Sequence, residues 1–130
     1  MFDRYLIGEK GFHNVVEDGK AKGFQLELRI PYYRGLGLSM LEGFDVTVDE
    51  KVFPREDNLF TVRGRTFTQK EMETVYDERW EMGEVAQLMV PLAAGLAKGK
   101  HNVSVVAYLR VSYVPVITVG KDKKILELEG

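Results

Sequence analysis

The sequence predicts an all-β fold, a single-domain antiparallel β-sandwich over residues 1–130 with at most one or two short helical turns. Two patterns along the chain predict it. Several segments alternate apolar and polar residues, which is typical of strands that bury one face. Turn sequences that contain Gly and Asp separate these segments at short intervals, as in sandwich domains. A chain of 130 residues can bury a hydrophobic core without metal or disulfide cross-links.

The predicted strands follow one another along the whole chain. Asp18 and Gly19 provide hairpin-turn chemistry after the first strand, and the clearest strand places Val103, Val105 and Ala107 on one face. The period-two pattern predicts strands at residues 12–17, 24–30, 44–48, 59–63 and 102–111, and a fuller apolar run predicts one at 85–92. Short terminal strands are predicted at 116–119 and 125–128.

One short helix is predicted, at residues 68–72. Thr68 and Glu71 have the spacing of a capping box, in which each residue satisfies a backbone N–H of the first helical turn. The helix can extend for a turn or two, because residues 74–76 include Thr, Val and Tyr, which favour extended chain.

The residue inventory offers little for catalysis. His13 and His101 are the two histidines of the chain, and each is interpreted as structural, His13 within the first strand and His101 at the mouth of the sandwich. Ser39, Ser104 and Ser112 lack a nearby His and acid that would form a nucleophile and its base. No cluster of His residues has the spacing of a zinc site. We therefore predict no catalytic residue, no metal ligand and no cofactor on this chain.

Composition argues against several classes of partner. The net charge is −2 and both signs are interspersed, so no basic stripe is available for nucleic-acid phosphates. Cysteine is absent, which suits a reducing compartment. The longest apolar run, residues 88–97, contains Pro91 and Gly95 and is too short to span a bilayer. Residues 1–5 lack the build of a signal peptide. The sequence predicts a soluble, cytoplasmic protein.

The loop after strand 24–30 has the composition of a recognition surface. It contains Tyr32, Tyr33, Arg34 and Leu36, whereas ordinary turns are built from Gly, Asn, Asp, Ser and Pro. Tyr and Arg combine a large contact area with polar tips and are frequent binding anchors. We predict that this loop faces a partner. The alternative is that both tyrosines fold back over the core with their hydroxyls in solvent.

A second unusual segment, residues 76–84, holds the single Trp among charged residues. In one interpretation Trp80 caps the core of the sandwich and the acidic residues face water. In the other, Tyr76, Arg79 and Trp80 lie near a subunit contact, since these residue types often serve as anchors. Both interpretations are open from the sequence.

These residues also carry a family resemblance. The chain resembles the small (β) subunit of bacterial C-glycoside deglycosidases, and the resemblance covers nearly the whole chain in order. It rests on Pro31-Tyr32-Tyr33-Arg34-Gly35, Glu78-Arg79-Trp80-Glu81 and Gly120-Lys121-Asp122-Lys123-Lys124, and on residues 12–19, 38–40, 52–55 and 71–73.

The resemblance implies a division of labour. In that family the small subunit is a β-sandwich that associates with a larger TIM-barrel α subunit similar to sugar isomerases. The α subunit holds a divalent metal, typically manganese, and the acid–base residues. The complex cleaves the carbon–carbon bond between a 3-oxo sugar and an aromatic, usually flavonoid, aglycone. The chain is thus expected to be a non-catalytic subunit of a carbon–carbon lyase, with Tyr32, Tyr33, Arg34, Leu36, Arg79 and Trp80 at the subunit interface.

Two other classes of function remain open from the sequence. One is a free-standing carbohydrate-binding sandwich, in which Tyr32, Tyr33 and Trp80 would stack on sugar rings. The other is a structural or homo-oligomeric module with no enzyme attached. Titration of the isolated chain with glycosides would identify the first, and co-purification of a larger barrel protein would argue against the second.

Overall fold

The computed structural model describes residues 6–30, 35–53, 55–75, 78–81, 84–110 and 117–129, and the side chains of residues 117 and 118 are not part of that description. The strands are β1 (His13–Glu17), β2 (Lys20–Leu28), β3 (Leu36–Gly37), β4 (Leu41–Val48), β5 (Lys51–Phe53), β6 (Leu59–Val62), β7 (Arg65–Thr68), β8 (Arg79–Trp80), β9 (Ala86–Pro91), β10 (Lys100–Arg110) and β11 (Ile117–Glu127). One α-helix, α1 (Gln69–Met72), and 3-10 turns at Leu38–Met40 and Arg55–Asp57 complete the list of elements in the described ranges.

Antiparallel pairing organises the strands into two main sheets. The first has five strands in the order β1-β2-β9-β6-β7, and the second has four in the order β11-β10-β4-β5. A third, two-stranded sheet pairs β3 with β8. The two main sheets enclose a common hydrophobic core, so the predicted all-β sandwich is confirmed.

Tight hairpins connect several neighbouring strands, and the backbone at their tips explains the turn residues. Asp18 and Gly19 have φ angles of 54° and 77°, and Arg63 and Gly64 have φ angles of 50° and 78°. Two consecutive positive φ angles are characteristic of the type I′ turn, whose twist matches that of the strands. Asp49 also has a positive φ, 48°, at the β4–β5 turn. The hairpin predicted at Asp18 and Gly19 is therefore confirmed.

The core is filled by the inward side chains of both sheets. Phe44 of the second sheet stacks on Phe60 of the first, with ring centroids 5.6 Å apart and planes at 2°. Phe24 and Phe53 meet edge to face across the sandwich at 5.2 Å. Such aromatic pairs add to the stability that burial of apolar area already provides. They also fix how the two sheets lie against each other.

The amino-terminal segment closes one side of the sandwich. Ile7 forms a β-bridge with Leu28 of the first sheet, and its backbone N–H donates to Asp122 of β11 in the second sheet at 2.9 Å. Lys124 of β11 donates to the carbonyl oxygen of Ile7. Glu129 pairs with His13 in a further bridge. These contacts satisfy backbone groups at the strand edges, which would otherwise be available for pairing with other chains.

The carboxyl-terminal strand differs from its prediction. The sequence predicts two short strands at 116–119 and 125–128, whereas β11 runs unbroken over Ile117–Glu127 and pairs with the whole of β10. The polar residues Asp122 and Lys124 hide the alternation in the sequence. Both are tolerated on the inward side because they lie at the sheet edge and bind the backbone of Ile7.

The short helix α1 confirms the predicted capping box. Thr68 Oγ1 accepts from the N–H of Glu71 at 3.1 Å, and the Glu71 carboxylate accepts from the N–H of Thr68 at 2.8 Å. Within the described residues, no helix is long and apolar enough to span a membrane.

Candidate functional site

The predicted interface residues that the structure describes lie at one end of the sandwich. Leu36, Arg79 and Trp80 belong to the two-stranded sheet β3–β8, in which Leu36 pairs with Trp80 and Gly37 with Arg79. We call this region, formed by Gly35, Leu36, Arg63 and residues 78–81 and 84, the Arg79 end. Tyr32, Tyr33 and Arg34 lie outside the described residues, as does Tyr76.

Leu36 and Trp80 are enclosed by the chain itself. Trp80 has no exposed surface and Leu36 is 3% exposed. The indole of Trp80 lies 6.0 Å from the ring of Phe44 and 5.2 Å from that of Phe60, and its Nε1–H donates to the carbonyl oxygen of Glu84 at 2.9 Å. Of the two interpretations of Trp80, the structure shows the core-capping one. The two side chains are buried within the Arg79 end rather than exposed on its surface, which corrects their expected exposure. The interface itself stays a prediction.

Arg79 is the predicted interface residue that reaches solvent. Its Nη2 donates to the carbonyl oxygen of Gly35 at 2.9 Å, and its Nε donates to Glu81 Oε1 at 2.9 Å. The first of these bonds joins segments 44 residues apart in sequence. More than half of the Arg79 side chain, 56%, remains exposed. Arg79 therefore holds the backbone of Gly35 and still presents a charged face to solvent.

Gly35 and Glu81 approach each other closely at this end. A Cβ atom built on Gly35 would lie 2.8 Å from Glu81 Oε2 and 2.9 Å from Glu81 Cδ, which is too close for ordinary packing. A glycine at position 35 thus lets the carboxylate of Glu81 lie against the backbone. Gly35, the residue before β3, is in this way brought against Glu81, the residue after β8.

A guanidinium at the tip of the β6–β7 hairpin holds this region together. Arg63 Nη1 donates to Glu84 Oε1 at 2.6 Å and to Oε2 at 2.5 Å, and Nη2 donates to Glu78 Oε2 at 2.8 Å and to the carbonyl oxygen of Arg79 at 2.7 Å. Arg65 also pairs with Glu78. Because the planar guanidinium can serve several acceptors at once, Arg63 links both sides of the β8 strand to the first sheet.

The charges of this network perturb its acids. Hydrogen bonds from Arg63 lower the pKa of Glu78 below its usual value of 4.5, against the effect of partial burial. Burial acts to raise the pKa of Glu84, but hydrogen bonds from Arg63 and from the backbone N–H of Glu81 outweigh it and lower that pKa. Both acids are thus held ionised near neutral pH, where they keep Arg63 in place.

Arg63 was missed by sequence reasoning, which treated it as the end of a strand. The signal available was the pair Arg63-Gly64 between two strand-like segments, which is compatible with a type I′ turn. That signal predicts the turn but not its partners, since Glu78 and Glu84 are 15 and 21 residues away.

The two histidines lie elsewhere. His101 is at the opposite end of the sandwich, where Nδ1 contacts Asp49 Oδ2 at 2.5 Å and Nε2 contacts the carbonyl oxygen of Ala97 at 2.7 Å. The bond to Ala97, followed by that to Asp49, raises the pKa of His101 above 6.5, although burial acts to lower it. The pKa of Asp49 is lowered by His101 and by the N–H of Asn102. Both nitrogens of this nearly buried ring are engaged, so it serves as a link between the β4–β5 turn and the loop before β10.

His13 lies in β1 with its Nδ1 3.0 Å from the carbonyl oxygen of Asn14 and its Nε2 3.5 Å from Gln25 Nε2. Across the described ranges, no group of three or more His, Asp or Glu side chains could hold a metal ion. The residues that could ligate a divalent metal are therefore not gathered in the part of the chain that the structure describes.

Comparison with known proteins gives the family of the chain. A family model described as C-glycoside deglycosidase beta subunit matches residues 2–113. A C-glycoside deglycosidase beta subunit from Eubacterium cellulosolvens is 30% identical over 116 residues, which cover 88% of this chain and 79% of that protein. One from Microbacterium trichothecenolyticum is 34% identical over 89 residues, which cover 68% of this chain and 67% of the relative.

A relative with a more specific name is also similar. The 3'-dehydrocarminate deglycosidase beta subunit of a Microbacterium species is 28% identical over 116 residues, which cover 89% of this chain and 84% of that protein. The resemblance predicted from the sequence motifs is thereby confirmed, and the chain belongs to the C-glycoside deglycosidase beta-subunit family.

Proposed function

We propose that this chain is the non-catalytic small subunit of a cytoplasmic C-glycoside deglycosidase, a lyase that cleaves the carbon–carbon bond between a 3-oxo sugar and an aromatic, flavonoid-type aglycone. Membership of the beta-subunit family makes the chain a component of a heteromeric deglycosidase. The proposal adds that its partner is a larger α subunit with a TIM-barrel fold similar to sugar isomerases. It also places the catalytic residues on that partner.

The chemistry of the reaction explains why the partner must supply the catalytic groups. A ketone at C3 of the sugar acidifies the proton at C2, and a base removes that proton. Elimination then breaks the bond to the aryl carbon, which takes up a proton as it leaves. A divalent metal on the α subunit, expected to be manganese, would supply positive charge for the oxygen that becomes negative. The described part of this chain gathers no comparable set of ligands.

One observation supports a positioning role for the small subunit: the Arg79 end is a fixed, charged surface. Arg79 binds the carbonyl oxygen of Gly35, while Arg63 makes four hydrogen bonds to Glu78, Glu84 and the backbone of β8. Active-site loops of a TIM barrel lie at the C-terminal face of its strands. A rigid surface packed beside such loops can hold them in a productive geometry, and misplacement by about 1 Å can cost on the order of a hundredfold in rate.

Activity assays with and without this chain test the proposal. A sugar-isomerase-like α subunit is assayed on a 3-oxo C-glycoside alone, with the wild-type chain and with the Tyr32→Ala/Tyr33→Ala/Arg34→Ala variant. We expect the triple variant to weaken assembly or to lower turnover, because it removes the two aromatic rings and the guanidinium that we assign to the interface. A matched control, Val16→Ala/Lys98→Ala/Lys100→Ala, changes three exposed residues at the opposite end and should leave both quantities unchanged.

Three outcomes would contradict parts of the proposal. Activity of the isolated chain on the oxidised glycoside would show that it is catalytic. Full activity of the α subunit without this chain would remove the positioning role. A triple variant with wild-type assembly and turnover would leave the subunit assignment intact but remove the loop from the interface.

A further inference from the structure

The outward face of the five-stranded sheet is formed by three rows of paired residues. The core-facing residues alternate with these, so the rows point away from the core. By register, the central row is His13, Gln25, Met89, Leu59 and Thr68; the row nearer the Arg79 end is Glu27, Gln87, Thr61 and Thr66; and the third row is Val15, Gly23 and Pro91. We call this surface the outer face.

The outer face is nearly free of formal charge. Glu27 is the only Asp, Glu, Lys or Arg in the three rows, and it lies toward the margin, next to the segment that contains Gly8 and Gly11. The other side chains are amides, threonines, one histidine and the apolar Met89, Leu59, Val15 and Pro91. By composition 29% of the whole chain is charged, so a face with a single charged residue departs from the rest of the molecule.

The outward face of the four-stranded sheet gives a direct comparison within the same molecule. Its paired rows contain Lys123 beside Ser104, and Asp45 and Lys121 on either side of Val106. Arg55 forms a two-pronged ion pair with Asp45 and lies 4.3 Å from the ring of Tyr108. The second sheet thus carries the charges that are typical of a solvated surface, and the outer face of the first sheet does not.

Depletion of charge is the compositional mark of the buried centre of a protein–protein interface. Removing a Lys or Glu from water without a partner is costly, whereas Gln and Thr can exchange water for hydrogen bonds across an interface. Met89 adds a flexible apolar side chain at the centre, and it lies across Gly23. We propose that the outer face is the docking surface for the α subunit, an inference that rests on the proposed function.

The outer face is too small to be a whole interface, and it adjoins the Arg79 end. The twelve positions of the three rows, each about 4.8 Å by 7 Å, give a flat surface of roughly 400 Å². A specific interface needs about 800 Å² per partner, so the outer face supplies its centre and requires a rim. Thr61 and Thr66 flank the Arg63-Gly64 turn, which belongs to the Arg79 end. If one α subunit covers both surfaces, the interface on this chain has a charge-poor centre, the outer face, and a charged rim, the Arg79 end.

Single lysine substitutions test the inference in the assembled enzyme. Gln25→Lys and Gln87→Lys place a charge on the outer face with little change in side-chain length, and Thr47→Lys and Ser104→Lys place one on the outward face of the other sheet as controls. Each variant is co-expressed with the α subunit used to test the proposed function, and the dissociation constant of the purified complex is measured. We expect it to rise tenfold or more for the first pair and less than threefold for the controls.

The outcomes separate this inference from the proposed function. If the wild-type chain does not assemble with the α subunit, the proposed function fails. If it assembles and the outer-face variants bind as tightly as the controls, only the docking surface is wrong. Light scattering of the isolated chain tests whether a second copy of this chain occupies the outer face instead. If the wild-type chain self-associates, and Gln25→Lys abolishes this while binding to the α subunit is unchanged, the outer face is a contact between copies and the docking inference is wrong. Urea unfolding midpoints near that of the wild type are the criterion that each variant is folded.

Discussion

Replacement of Trp80 tests most directly whether this residue stabilises the core or anchors a partner. Its side chain is fully buried between Phe44 and Phe60. Truncation of a buried Trp to Ala typically costs about 3–5 kcal/mol, because burial and aromatic contacts are lost and a cavity remains. A domain of this kind has roughly 5–15 kcal/mol of stability in total, so Trp80→Ala should leave the isolated chain marginally stable or unfolded.

The milder variant Trp80→Phe keeps the experiment informative if Trp80→Ala does not fold. Trp80→Phe retains an aromatic ring but loses the hydrogen bond from Nε1 to the carbonyl oxygen of Glu84. One lost hydrogen bond of this kind costs about 1 kcal/mol, and the smaller ring adds a similar amount. We therefore expect Trp80→Phe to lower the free energy of unfolding by about 2 kcal/mol.

Urea unfolding of the isolated chain, followed by far-UV circular dichroism, measures both variants. Val52→Ala serves as the control, because Val52 is 68% exposed and its truncation should change stability by about 0.5 kcal/mol at most. Trp80 is the single Trp, so the fluorescence of the wild-type chain should be blue-shifted and resistant to acrylamide. If Trp80→Phe leaves stability unchanged and weakens only the complex, Trp80 is an interface anchor and the core interpretation is refuted.

Three further variants test other parts of the structure. The raised pKa of His101 stabilises the fold fully below pH 6.5 and loses this effect as pH rises through the folded pKa, while the lowered pKa of Asp49 contributes above 3.8. His101→Gln should therefore cost more stability at pH 5.5 than at pH 8.5 in urea unfolding, and an equal loss at both would contradict the linkage. Thr68→Ala removes the helix cap and should cost about 1 kcal/mol by the same measurement, whereas Thr68→Ser should restore it; no loss in Thr68→Ala would mean that the cap is dispensable. Arg63→Lys keeps the positive charge but loses the planar guanidinium that makes four hydrogen bonds, so it should raise the dissociation constant of the complex about fivefold. Unchanged binding would show that these hydrogen bonds are not needed for docking.

The sequence was sufficient for elements whose pattern is local. Strands β1, β2, β4, β6, β9 and β10 follow from alternation, and the turn at Asp18 and Gly19 follows from residue types that tolerate positive φ. The capping box at Thr68 is equally local, because both partners lie within one helical turn. In each case the information lies within about ten residues of the element that it specifies.

Elements that depend on distant partners were not predictable. Strands β3 and β8 have two residues each and no alternation, and the contacts around them come from different parts of the chain. Arg63 binds Glu78 and Glu84 on either side of β8, and Arg79 binds the carbonyl oxygen of Gly35. Strand β11 was divided in the prediction by Asp122, whose carboxylate accepts the N–H of Ile7, 115 residues away. A polar residue on the inward side of a strand is acceptable only with such a partner, and the sequence does not reveal it.

The candidate site shows the same limit at the level of residue type. Aromatic and Arg content predicts that a segment is used for binding, but it does not distinguish a surface anchor from a core residue. Trp80 and Arg79 are adjacent in β8, so alternation sends their side chains in opposite directions: Trp80 is buried and Arg79 is exposed. Composition points to the segment, and the pairing of β8 with β3 decides which of its residues is on the surface.

Arg63 connects the two surfaces that we assign to the partner. It occupies a positive φ of 50°, a conformation that non-glycine residues adopt at a cost of about 1 kcal/mol, and its four hydrogen bonds offset that cost. On one side its turn continues into the outer face through Thr61 and Thr66; on the other its guanidinium fixes the strand of Arg79. Since the hairpin cannot move without breaking these bonds, both surfaces should meet the α subunit as one rigid body. Loosening the turn with Arg63→Lys should then weaken assembly even though Arg63 lies between the two contacts rather than at the centre of either.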